Sequence, residues 1–136
     1  AADRAAGLLA GWGVDAATIA EIAHAIEAHS FTAGIPPRTL EARVVQDADR
    51  LDALGAVGLG RCLMLGGAMG KPMYDADDPF CAARPPDDTR SAVDHFYTKL
   101  LHLAGTMQTA GGRAEALQRT RYLEGFLDEL RREIGE

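Results

Sequence analysis

Cysteine is scarce, with two residues in 136, and aromatic side chains make up only 6% of the chain. Cys62 and Cys81 flank a Gly- and Pro-containing stretch and match no zinc-ligand spacing, so a disulfide framework and a zinc finger are both excluded and two reduced thiols are expected. No apolar run approaches the roughly 18 residues that a membrane-spanning helix needs. Positive charge is also in deficit: 14 Lys and Arg stand against 20 Asp and Glu, a net charge of -6. That balance excludes a protein built to coat a nucleic-acid duplex or an anionic lipid surface, while leaving room for a local basic pocket. The opening AADRAAGLLAGWGVD carries acid and no basic signal-peptide head, so the cytoplasm is the expected location. It also lacks an initiator methionine and begins inside a helical pattern, and the chain is therefore read as a fragment.

What is present is helical. With 47% hydrophobic and 25% charged residues, the composition is that of a globular domain, expected as a single helical domain over residues 1–136. A short Ala/Leu helix over Ala2–Ala10 stops at GWG, and Asp15 is placed to cap a helix over Ala16–His29 whose apolar stripe is Ile19, Ile22, Ala23 and Ile26. His29 extends that stripe, whereas His24 points elsewhere and is read as a surface residue. Pro36 and Pro37 force a loop that ends at a Thr39 cap. The longest helix is expected from Leu40 to about Leu65, with Leu40, Val44, Ala48, Leu51 and Gly55 on one side. Gly55, Gly58 and Gly60 within it point to close packing or approach to a ligand. Gly66–Thr89 reads as a long irregular excursion, in which Tyr74 and Phe80 anchor the chain by burial. Two amphipathic helices follow, Thr89–Met107 with Val93, Phe96, Leu100, Leu103 and Met107, and Arg113–Ile134 with Leu123, Phe126, Leu127, Leu130 and Ile134. No strand pattern competes, and the expected fold is all-α with about five helices. Trp12 is expected to plug a helix junction, and the apolar last helix offers a face for a homodimer.

The stretch VVQDADRLDALGA, Val44–Ala56, sets three acids in this apolar setting. Asp49 and Asp52 are three apart and share a helical face, whereas Asp47 lies on another side near Leu51. Like charges at that spacing repel, so something must compensate a partly buried pair. Ion pairs with Arg38, Arg43 or Arg50 are one compensation, and a divalent cation held by carboxylate oxygens is the other.

The segment HSFTAGIPPRTLEARVVQDADRLDALGAVGLGR, His29–Arg61, resembles the C-terminal part of the HD-superfamily metal-dependent phosphohydrolases, particularly their small bacterial branch. The likeness continues through GGAMGKPMYDADDP, Gly66–Pro79, and HFYTKLLHLAGTMQTAGGR, His95–Arg113, and so covers nearly the whole chain. It implies an HD-domain-like helical bundle and a divalent metal (Mn, Mg, Fe, Co or Ni) held by an early His, a His-Asp doublet and a late Asp. Asp49 matches the late aspartate as metal ligand, with Asp47 as the fallback. Asp52 matches a following acid and His29 a position beside metal or phosphate, which makes these two the catalytic candidates. No His-Asp dipeptide occurs: His24 precedes Ala, His29 Ser, His95 Phe and His102 Leu, and Asp94-His95 is the reverse order. The remaining ligands are therefore expected in an N-terminal segment outside this chain.

The implied activity is hydrolysis of nucleotides or other small phosphate esters. Lys71 in the glycine-rich GGAMGKP loop and Arg61 are the first candidates for substrate phosphate, followed by Lys99; membranes and nucleic-acid duplexes are not expected partners. His95 reads as a buttress of the core and His102 as a surface residue. A catalytically inactive helical binding or oligomerisation module, its acids paired with arginines, is the alternative.

Overall fold

Six α-helices and two 3-10 segments make up the regular structure of this computed structural model, which describes residues 1–136 apart from the Phe31 side chain. The α-helices are α1 (Ala2–Gly11), α2 (Ala16–Ala28), α3 (Leu40–Leu51), α4 (Gly55–Ala68), α5 (Ala92–Thr98) and α6 (Ala110–Ile134), with 3-10 turns at Phe31–Ala33 and Leu100–Thr106. No strand occurs among the described residues, and no single helix is long and apolar enough to cross a membrane. The fold is all-α, with one α-helix more than the sequence pattern predicts. The chain packs as two units, Ala1–Arg50 with Met107–Gly112, and Leu51–Thr106 with Arg113–Glu136.

In the first unit α1 packs on α2. Asp15 caps α2 by accepting the Thr18 N–H at 3.0 Å, and Thr39 caps α3 through the Ala42 N–H at 3.1 Å, as their side-chain chemistry dictates. Trp12 does not plug the junction. It is 75% exposed, beside the turn in which Gly13 takes φ +78. His24, expected at the surface, is buried and accepts the Arg38 N–H on Nε2 at 3.0 Å; the loop behind the two prolines folds back over it.

The face that α3 buries is the unexpected one. Ala42, Gln46 and Asp47 are buried, whereas Leu40, Val44 and Val45 are exposed. Polar groups at those depths need partners. Gln46 Nε2 donates to the Ala28 carbonyl at 2.6 Å. Asp47 accepts from the N–H groups of Gln108 at 2.8 Å and Thr109 at 2.9 Å and from the Thr109 hydroxyl at 2.7 Å, while Thr109 Oγ1 in turn accepts the Gly112 N–H at 3.0 Å. This caps the start of α6, which begins at Ala110 rather than Arg113. A Cβ on Gly112 would lie 2.3 Å from Asp47 Oδ2, so only glycine fits there.

In the second unit the single helix expected over Leu40–Leu65 is interrupted. Its chain leaves helical geometry at Asp52–Leu54 and re-enters as α4. Leu54 is fully buried, Gly55 takes φ +68, and the Leu51 carbonyl at the break accepts both the Leu54 N–H at 3.1 Å and Arg119 Nη1 at 2.9 Å. Gly58 belongs to the same device: a Cβ there would sit 2.2 Å from the Ala53 backbone. The helix expected over Thr89–Met107 is also shorter. Ser91 caps α5 at the Asp94 N–H, 3.2 Å, and after Thr98 the chain tightens into the 3-10 segment. Its apolar stripe still faces inward, with Val93, Phe96, Leu100 and Leu103 at or below 2% exposure; Met107, which belongs to the first unit, is buried as well. α6 buries Ala116, Thr120, Leu123, Leu127 and Leu130 at alternating four- and three-residue spacing, and its Phe126 ring stacks on Phe96 with centroids 5.9 Å apart.

The connection between α4 and α5 is irregular, as expected, and tied down by charge. Asp94, fully buried, accepts two parallel bonds from Arg84, 2.6 Å from Nη1 and 3.0 Å from Nη2, together with the Ser91 hydroxyl at 2.7 Å and the Asp87 N–H at 2.7 Å. Arg84 also reaches Asp75 at 3.3 Å and Asp78 at 3.9 Å. Burial alone would push the Asp94 carboxyl up, but these donors, Arg84 foremost, outweigh it and hold the group well below the usual carboxylate range. Phe80 is buried under the Arg131 guanidinium, which lies 4.3 Å from the ring centre.

Candidate functional site

A cavity of about 320 Å³ opens in the second unit between α4, the α4–α5 connection and α5. Arg61 and Cys62 reach its wall from α4, Lys71 and Asp88 from the connection, His95 from α5, and Lys99 from the residue that ends α5. Three cations selected from the sequence thus line one concavity. Lys71 Nζ donates to the Asp88 carbonyl, and Arg61, which is exposed, ion-pairs with Asp52 at 3.6 Å. Such a lining attracts an anion without making the surface basic as a whole.

Asp88 and His95 face the same space, and the sequence did not mark them for chemistry. Asp88 Oδ2 lies 3.0 Å from His95 Nδ1, and its other oxygen accepts from the Thr98 hydroxyl. Partial burial raises the Asp88 carboxyl, but the bonds from Thr98 and His95 and the charge of Lys71 outweigh that and bring it below its ordinary value. Asp88 is therefore an anionic acceptor. The adjoining Asp87 turn, closed by the Thr89 N–H at 2.8 Å, fixes its backbone. Both thiols are held toward the protonated form. Burial and Asp88 push Cys62 up, and burial with the Asp94 contact pushes Cys81 up to about 11.

The acids of the VVQDADRLDALGA stretch are separated by the fold. Asp49 is exposed on α3. Asp52 lies just past the end of α3, so the two carboxylates do not share a helical face, and the Asp52 side chain is 69% exposed. Asp47 is committed to the α6 cap. His29 ends α2, half-buried, with Nδ1 donating to the Ile26 carbonyl at 2.5 Å, which leaves Nε2 as its proton-accepting atom. Among the described residues no three His, Cys, Asp or Glu side chains converge as metal ligands. With Asp49 turned outward and Asp47 consumed by amides, the groups of this chain do not by themselves fit a divalent ion.

No family model matches the chain. It is 39% identical over 98 residues to the uncharacterized protein YpgQ of Bacillus subtilis, a stretch covering 72% of this chain and 42% of YpgQ. The crystal structure of Bacillus subtilis YpgQ in complex with ADP superposes with a TM-score of 0.77 at 32% identity, covering 98% of this chain and 61% of that one. An HD-superfamily hydrolase from Bacillus thuringiensis matches with a TM-score of 0.78 at 34% identity, over 98% of this chain and 62% of its own. The chain thus spans less than two thirds of each of these relatives. Identity at this level across nearly every residue, together with the shared helical fold, settles the kinship: the chain belongs to the HD superfamily, in its small bacterial branch.

Proposed function

We propose that this chain is part of a metal-dependent phosphohydrolase acting on nucleotides or other small phosphate esters. The observation that carries the reading is the cavity that gathers Arg61, Lys71 and Lys99 in a chain of the HD superfamily. Phosphate oxygens are what such a set of ammonium and guanidinium donors recognises. The ADP in the YpgQ crystal structure supports a nucleotide as the ligand class.

Asp49 is the residue of this chain that the family pattern offers to a metal, and one carboxylate alone would not hold it. Such an ion, if held, would polarise a phosphoryl oxygen and lower the pKa of a bound water. This chain's own part is to hold and orient the phosphate between α4 and α5. His29 and Asp52 remain candidates for proton handling and require the same test.

That test is phosphate or pyrophosphate release by the chain joined to its natural flanking sequence, with manganese, over a panel of nucleotides and small esters. Release that is lost in Asp49→Ala and weakened in Lys71→Ala supports the reading. Silence across the panel at saturating metal refutes it and favours an inactive helical binding module, to which the exposed Asp49 and the Arg61–Asp52 pair are suited.

A further inference from the structure

A histidine that only buttressed the core would be enclosed. The His95 side chain is one-third exposed and lines the cavity beside Arg61, Lys71 and Lys99. A carboxylate accepts hydrogen bonds and does not donate them, so the 3.0 Å contact with Asp88 fixes the ring proton on Nδ1. Nε2 is left as the atom that takes a further proton. The Asp88 carboxylate cannot turn away, since its second oxygen is held by the Thr98 hydroxyl and its carbonyl by Lys71 Nζ.

We propose that His95, positioned by Asp88, is a proton-taking contact for the phosphoryl end of the ligand: as the anion enters, Nε2 binds and keeps a proton drawn from solvent and through it donates a hydrogen bond to a phosphoryl oxygen. The inference rests on the reading that this cavity receives a phosphoryl group, and adds to it a residue and a direction of proton movement. The charged and titratable groups around the ring set that direction. Arg61 and Cys62 face it from α4, Lys71 and Asp88 from the connection, and Lys99 from the end of α5. A phosphoryl dianion placed among these groups favours the doubly protonated ring, in which both nitrogens donate.

The experiment titrates the chain with inorganic pyrophosphate in EDTA, following the imidazole nitrogens by NMR and the heat in two buffers of different ionisation enthalpy. The expected result is an Nδ1–H ring at His95 in the free chain, a doubly protonated ring in the complex and uptake of about one proton. His95→Gln and Asp88→Asn should each weaken pyrophosphate about tenfold, the loss expected of one charge-assisted hydrogen bond, and abolish the proton uptake. Should Asp88→Asn fail to fold, the wild-type spectrum decides: an Nε2–H ring in the free chain overturns the proposal. So does a His95 signal that saturating pyrophosphate leaves unmoved, or full affinity in His95→Gln. If pyrophosphate does not bind at all, the phosphate cavity falls and this proposal with it. If it binds and protonates His95 but the longer protein hydrolyses nothing, the hydrolase reading fails and the proposal stands.

Discussion

Asp94→Ala strips the acceptor from Arg84 Nη1 and Nη2, from the Ser91 hydroxyl and from the Asp87 N–H at one fully buried point. Removing one partner of a buried ion pair costs about 3–5 kcal/mol, because the group left behind has lost both water and its counter-charge. Arg84 retains Asp75 at 3.3 Å and Asp78 at 3.9 Å, which places the loss near the low end, about 3 kcal/mol. Against a total stability of about 5–15 kcal/mol that is a large share. With a urea slope of about 2 kcal/mol/M, the unfolding midpoint should fall by about 1.5 M, read by circular dichroism. Asp94→Asn keeps one acceptor oxygen and should lose roughly half as much. The same carboxylate sets a pH dependence. Its folded-state pKa lies below the unfolded value of about 3.9, so the stabilisation is complete above that value and drains away as pH falls through the folded one. Asp94→Asn should flatten the acid limb of the stability curve below about pH 4. A midpoint drop under about 0.3 M in Asp94→Ala, or parallel acid limbs in the wild type and Asp94→Asn, would refute the reasoning.

Glycines inside α4 should divide by their surroundings. Gly58→Ala drives a methyl to within 2.2 Å of the Ala53 backbone and should cost about 2–3 kcal/mol, whereas Gly60→Ala meets nothing within 4 Å and should stabilise by about 0.5–1 kcal/mol, both measured by thermal unfolding. Equal effects would mean that the break after Leu51 does not need Gly58. Asp47→Ala leaves two amides at the start of α6 without their acceptor and should destabilise by about 2–4 kcal/mol in urea. Gly112→Ala pushes on the same carboxylate, and the two losses should not add in the double variant. A strictly additive pair would show that the cap is not a unit. Cys81, pushed up to about 11, should react with a disulfide reagent at pH 8 far more slowly than a free thiol; a rate near that of free cysteine contradicts the contact with Asp94.

Much of the helical plan was legible because it is local. Asp15 and Thr39 sit at their caps, and the stripe from Val93 to Met107 is buried although the helix carrying it tightens to 3-10 after Thr98. Apolar spacing reports which residues go inward more faithfully than it reports helix type. The break after Leu51 has no local signal, because Asp52, Ala53 and Leu54 do not oppose a helix and the side chain that adds a second donor to the Leu51 carbonyl comes from Arg119, 68 positions on. His24 was misjudged for a similar reason, since its partner is a backbone N–H fourteen residues away in a loop. At the site, Arg61, Lys71 and Lys99 were read singly as phosphate ligands, and packing, not spacing, brings them around one cavity. The Asp88–His95 pair had no signal of its own. Seven residues part them, and the contact exists because the Ser91 cap and the Asp87 turn aim the chain just before α5.

The clasp between Asp47 and the amides of Gln108 and Thr109 spans 61 and 62 positions of sequence. The first unit is accordingly not a contiguous piece of coding sequence: a peptide stopping at Arg50 would contain α1, α2 and nearly all of α3 and yet leave a bare carboxylate where three donors belong. Anyone wishing to produce that half separately must supply Met107–Gly112 as well, in cis or as an added peptide. Recovery of helicity on adding that peptide would gauge how strongly the remote segment is held.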